Sequence, residues 1–157
     1  MSEHETPALD GLVVGILGGT GPQGRGLARR FAMTGLQVII GSRNHDRAYG
    51  VAREIGHDVR GLANRDAARE ASLVIAAVPW EGHAELLVGL ATELAGKIVV
   101  DCVNPLGFDQ RGAYPLPIPE GSAAEQAAAL LPSSQVVAAF HHVSAVLLLD
   151  AQVDSLD

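Results

Sequence analysis

A short apolar run, a glycine-rich turn and an amphipathic segment follow one another between Gly11 and Met33, and no other stretch restricts the fold as much. The run over residues 11–17, GLVVGIL, carries no charge. That suits a strand buried on both faces of a parallel sheet. Further on, Leu27, Arg30 and Phe31 recur at helical spacing with Ala28 and Ala32 between them, which predicts a helix lying on that sheet. Between the two, Gly19, Gly21 and Gly24 fit G-x-G-x-x-G. In a dinucleotide-binding turn each glycine has a mechanical task. Gly19 allows the tight turn out of the strand, Gly21 lets a pyrophosphate approach the backbone, and Gly24 lets the helix sit close to the strand. The pyrophosphate then meets free backbone N–H groups and the positive end of the helix dipole. With 18 glycines in 157 residues the spacing alone is weak. Its weight comes from the order strand, turn, helix within one βαβ-sized unit.

Length fits one domain with a substantial core. The net charge of −7 makes a poor general binder of nucleic acid or of anionic membrane. No apolar run has membrane-spanning length. Residues 1–10 are polar and acidic, without the pattern of a signal peptide, and are expected to form a disordered tail. The single cysteine, Cys102, excludes an internal disulfide and favours a cytoplasmic setting. No Cys/His cluster has zinc spacing, so no metal site is expected. No G-x-S-x-G motif is present and Cys102 falls within a strand, so nucleophilic catalysis has no support.

Further apolar runs predict a second strand at 37–41, a third at 59–62, a fourth at 72–78, a fifth at 98–103 and a sixth at 135–140. Helices are expected at 46–55, at 64–70 with Asn64 as N-cap, at 81–94, and from the capping box at Ser122 to just before Pro132. Residues 106–121 read as an irregular loop. Strands alternating with helices predict an α/β fold: a doubly wound parallel sheet of the Rossmann type, in strand order 3-2-1-4-5-6, over residues 11–157. Ligands then bind outside the carboxyl ends of the strands. A nicotinamide enzyme normally adds a substrate subdomain after such a unit, so a further C-terminal segment is expected.

The second strand ends in Gly41-Ser42-Arg43, with Arg47 one helical turn on. An NAD site would place Asp or Glu there. A hydroxyl and two guanidinium groups instead suit the 2′-phosphate of NADP. The fourth strand ends in Val78-Pro79-Trp80-Glu81-Gly82-His83. Pro79 and Trp80 offer an apolar wall for a nicotinamide ring, or Pro79 ends the strand and Trp80 is core; the sequence leaves both open. His83 is within reach of a ribose or phosphate, but the expectation for it is a surface histidine. Asp101, Asn104 and Pro105 surround the end of strand five. His141 and His142 end strand six, where a ligand contact is expected.

Taken together, Leu17-Gly18-Gly19-Thr20-Gly21 with Gly24, then Gly41-Ser42-Arg43, Val78-Pro79-Trp80-Glu81 and Phe140-His141 resemble the NADP(H):coenzyme F420 oxidoreductases, over nearly the whole chain. The resemblance implies hydride transfer between NADP(H) and the deazaflavin coenzyme F420, with the two rings stacked in the crevice. It implies that Thr20, Gly21, Pro22, Gln23, Ser42, Arg43 and Arg47 hold NADP, that Pro79 and Trp80 lie near the nicotinamide, and that His141 lies beside the deazaflavin. It also implies a homodimer for a chain of full family length, built partly by the C-terminal part. Hydride transfer needs two rings held face to face and no protein nucleophile, so the lack of an evident acid–base dyad is expected. An NADP-dependent reductase of a small imine or carbonyl, or an NADP-binding sensor without catalysis, are the competing readings.

Overall fold

The computed structural model describes residues 9–156. The expected tail lies outside them except for Leu9 and Asp10, which turn into the first strand through a bond from the Leu12 amide to the Leu9 carbonyl (3.0 Å). In chain order, β1 (Val13–Leu17), α1 (Pro22–Met33), β2 (Gln37–Ser42), α2 (His45–Ile55), β3 (Arg60–Ala63) and α3 (Asn64–Glu70) form the first half. Next come β4 (Leu73–Ala76), α4 (Trp80–Gly89), α5 (Ala91–Leu94), β5 (Ile98–Asp101), β6 (Leu106–Asp109), β7 (Gly112–Pro115), α6 (Ala123–Leu130), β8 (Gln135–Ala138) and α7 (Ala145–Leu149).

Six strands pair in parallel in the order β3-β2-β1-β4-β5-β8, the doubly wound order expected from the sequence, with β8 as the sixth strand. Register runs Gly15↔Ile39 from β1 to β2 and Ile16↔Ile75 from β1 to β4. Because strand side chains alternate, each apolar run feeds two cores. Ile16, Val38, Ile40, Ile75 and Val100 pack with Leu27, Ala28 and Leu148 on the face of α1, α2 and α7. Leu17, Ile39, Val74 and Val99 pack with Ala67, Leu87, Leu94 and Ala127 on the face of α3, α4, α5 and α6. Two-sided burial is why these strands read as continuous apolar runs.

The structure departs from the sequence reading at three places and adds one element where no reading was made. Asn64 does not cap α3. Ala63 holds the N-cap position without a side-chain bond, because the Asn64 side chain accepts the Gly18 amide instead (3.3 Å). The helix expected at 81–94 is two helices. It breaks after Gly89, a weak helix former, while Leu90 and Leu94 both stay in the core. Residues 106–121 are not wholly irregular, since β6 and β7 form an antiparallel hairpin. Its turn is set by the Asp109 carboxylate, which accepts the Arg111 amide (2.7 Å), and by Gly112 at φ 112°. The apolar segment after His142 contains α7, capped by Ser144. Leu148 seats its Cβ where a side chain on Gly26 of α1 would stand, and Arg30 reaches across to the carbonyls of Leu147, Leu148 and Asp150.

Candidate functional site

At the carboxyl ends of β1, β2, β4 and β5 lies a crevice of about 970 Å³. Its floor is the turn between β1 and α1. Gly18 leaves β1 with φ 68°, a left-handed conformation that favours glycine. A Cβ on Gly19 would come within 2.7 Å of the Ile40 side chain, and one on Gly24 within 2.5 Å of the Gly19 Cα. Protein packing therefore dictates glycine at both. Gly21 differs: a Cβ there would meet only the Gly18 carbonyl, at 3.8 Å. The room in front of Gly21 is crevice, not protein. Helix α1 begins at that point with Gly21 as N-cap, no side-chain cap and no acidic residue in its first turn. Its first N–H groups are left for a ligand. The turn is braced from three sides. Asn64 takes the Gly18 amide. Arg25 donates to the Thr20 carbonyl (3.0 Å) and pairs with Glu54 (2.7 Å). Gln23 donates to the Phe140 carbonyl (3.4 Å).

At the β2 end, the Ser42 hydroxyl accepts the Asn44 amide (3.2 Å), and Asn44 caps α2 by accepting the Arg47 amide (2.9 Å). These bonds fold the chain so that Ser42, Arg43, Asn44 and Arg47 all line the crevice. Arg25, Arg60, Arg65 and Arg69 each pair with a carboxylate. Among the described residues Arg43 and Arg47 pair with none, and both are exposed. In an acidic chain, two unpaired guanidinium groups on one wall make a locally positive patch.

Opposite stand Val78, Pro79 and Trp80, then Cys102, Val103 and Asn104 from the end of β5. Trp80 is half-buried and lines the crevice while stacking on His83, so it is wall and packing at once. Cys102 is no nucleophile. Burial, aided by the Asp101 charge, pushes its thiol up to about 12, and Sγ donates to the Ala76 carbonyl (3.1 Å).

Of the residues singled out in the sequence, Thr20, Gly21, Pro22, Gln23, Ser42, Arg43, Arg47, Val78, Pro79, Trp80 and Asn104 share this crevice. Gly19 and Gly24 lie beneath it and shape it. His141 is not on its lining; Asn104, which is, donates its side-chain amide to the His141 carbonyl (2.9 Å). His83 is the correction. It is not at the surface but inaccessible to solvent, as is Asp101, to which its Nε2 is bonded. A His–Asp pair therefore exists where no dyad was expected, buried behind the wall. Sequence reasoning also missed Asn64 and Arg65 on the lining. Arg65, paired with Glu93, holds the Glu93 carboxyl below the usual carboxylate range, chiefly by hydrogen bonding.

A parallel sheet of this order, with an uncapped helix start and an unpaired cationic wall, has counterparts among known proteins. Residues 13–105 match the family described as NADP oxidoreductase, coenzyme F420-dependent. The chain belongs to that family. The F420-dependent NADP reductase of Methanothermobacter marburgensis is 36% identical over 148 residues, covering 87% of this chain and 66% of that protein. The enzyme of the same name from Methanocaldococcus jannaschii is 40% identical over 154 residues, covering 90% and 69%. A solved structure from Arthrobacter sp. FB24, provisionally assigned as an F420-dependent NADP reductase, superposes with a TM-score of 0.72 at 31% identity, over 87% of this chain and 66% of that one. The chain thus spans about two thirds of the length of these relatives.

Proposed function

We propose that this chain binds NADP(H) in the crevice and passes a hydride between it and coenzyme F420, within a protein that works as a cytoplasmic homodimer. One observation carries the reading. The uncapped start of α1, with open space before Gly21, shares a crevice with the unpaired Arg43 and Arg47. A pyrophosphate and a 2′-phosphate are the two anions of NADP, and the two features meet them in turn. The family and the names of its relatives supply the second ring. Among the described residues no helix is long and apolar enough to cross a membrane.

When bound, the pair of cofactors would supply the redox chemistry, a hydride exchanged between the nicotinamide and the deazaflavin with one proton balanced by solvent. The chain's own residues bind and orient. Backbone N–H groups of Gln23 and Gly24 face the pyrophosphate, and Ser42, Arg43 and Arg47 face the 2′-phosphate. Val78, Pro79 and Trp80 exclude water from one side of the nicotinamide site. Holding two rings in contact is the main contribution a protein makes to such a step. Asn104 and His141 lie toward the second ring.

The test titrates NADPH and then adds purified coenzyme F420, following loss of the deazaflavin's visible absorbance, with this chain and with one extended to the relatives' length. Hydride transfer by the extended chain is expected. Binding without transfer indicates a sensor, and turnover of an imine or ketone with no deazaflavin reduction indicates the other reductase class. Either result overturns the proposal.

A further inference from the structure

Behind the crevice wall two titratable side chains are shut away from water and spent on each other. His83 lies in the first turn of α4 and Asp101 ends β5, and Nε2 of the one meets Oδ2 of the other. The second carboxylate oxygen, Oδ1, accepts the Val103 amide (3.0 Å). The imidazole also stacks on the Trp80 indole, three residues back on the same helical face, with centroids 5.4 Å apart and planes 28° from parallel. Trp80 and Val103 line the crevice from two different strand ends, whereas neither His83 nor Asp101 does.

Such a pair is a poor choice for stability alone, since apolar residues of similar volume usually serve as well or better. Here it is worse placed still, because His83 Nδ1 is buried without a partner, a desolvation cost with no return. What the pair does supply is geometry. The bond between Nε2 and Oδ2 fixes the plane of the ring. The plane of the ring fixes the indole stacked on it. The same carboxylate fixes the turn that presents Val103.

We propose that His83 and Asp101 are positioning residues that lock Trp80 and the Val103 turn into one rigid wall for the nicotinamide half of the dinucleotide. The proposal rests on the dinucleotide reading above. It goes beyond that reading in assigning a role to two residues that touch no ligand.

Trp80 is the only tryptophan in the chain, so its fluorescence reports the wall directly. His83→Gln keeps an N–H for Asp101 but removes the ring. Expected are a red-shifted, more acrylamide-quenchable Trp80 emission in the unliganded protein, and thermal unfolding close to wild type. NADPH affinity should fall about tenfold. Affinity for 2′-phospho-ADP-ribose, which lacks the nicotinamide, should stay unchanged. Asp101→Asn, which can still accept the Val103 amide with Oδ1 and bond Nε2 by donating from Nδ2, holds the ring in the same plane and should keep near-wild-type values on every measure. Equal losses for NADPH and the fragment would make the pair a general structural element and overturn the proposal, as would an unchanged Trp80 emission. Should His83→Gln fail to fold, time-resolved anisotropy of Trp80 in unliganded wild type decides. A held indole shows only overall tumbling, and nanosecond local motion refutes the lock. If wild type binds neither nucleotide, the dinucleotide reading falls and takes the wall's occupant with it, while the emission data still settle whether His83 holds Trp80.

Discussion

The Cα of Gly19 lies 2.5 Å from where a Cβ on Gly24 would begin. The start of α1 is thus in backbone contact with the turn that leaves β1, and the contact aims the helix's free N–H groups into the crevice. Gly21, between them, touches nothing comparable. One motif therefore contains glycines required by protein packing and a glycine, Gly21, that packing does not require.

That division predicts opposite outcomes for two substitutions. Gly24→Ala should destabilise the fold by about 1–3 kcal/mol, the usual cost of overpacking a rigid site, lowering the melting temperature by about 2–4 °C per kcal/mol. Gly21→Val should leave melting and circular dichroism nearly unchanged while abolishing NADPH binding, because the branched side chain fills the phosphate path. Tight NADPH binding by the Gly21 variant would refute the placement of the phosphates.

Arg43→Ala should weaken NADPH but spare NADH. Arg43 is exposed, unpaired and on the crevice lining, so its truncation disturbs no packing. Loss of a charged hydrogen bond to the 2′-phosphate is worth roughly 1.5–3 kcal/mol, or about ten- to a hundredfold in affinity. Isothermal titration of both nucleotides measures it. Equal affinity of the parent chain for NADH and NADPH would remove the assignment of Ser42, Arg43 and Arg47.

The fold and the side of the crevice lined by Gly21, Ser42, Arg43 and Arg47 were legible because they rest on local signals: continuous apolar runs, fixed glycine spacing, and the residues that end β2. The other side rests on contacts between distant segments. His83 pairs with Asp101, eighteen positions on, and Asn64 holds Gly18, forty-six positions back. One local clue to His83 was present. It shares spacings of four, three and four with Leu87, Leu90 and Leu94, all buried, so it stands in the apolar stripe of its helix. A histidine in such a stripe is buried by its neighbours whatever its own polarity. The β6–β7 hairpin was obscured by a proline- and glycine-rich composition, although Asp109 and Gly112 mark its turn.

Cys102 should be inert in the native protein despite lining the crevice. With its thiol pushed up to about 12, about one molecule in ten thousand carries a thiolate at pH 8. Labelling by a thiol reagent should follow unfolding, and saturating NADPH should slow it further by stabilising the native state. The linkage sign follows. A cysteine in the unfolded chain ionises near about 8.5, so above that pH the native state holds more protons than the unfolded one. Stability should fall as pH climbs from there toward 12, and Cys102→Ala should flatten that fall. Labelling of the folded chain at the rate of a free thiol would contradict the burial.

Asn104 joins two strand ends, those of β5 and β8. Its side chain lines the crevice, and its amide holds the His141 carbonyl (2.9 Å) just after Phe140, which sits at φ 65°. Gln23 holds Phe140 from the other side. Asn104→Ala removes one exposed tether, a loss of about 1 kcal/mol or less in stability. In a chain of the relatives' length it should leave NADPH affinity within about twofold and raise the deazaflavin KM about three- to tenfold with kcat little changed. That is the signature of an interaction shared by ground and transition states. His141→Ala should raise the same KM. If kcat collapsed in the His141 variant instead, His141 would be a proton donor in the reaction and not a contact that positions the ring. If both variants altered NADPH affinity and left the deazaflavin KM alone, the second ring would have to bind on another side of the crevice.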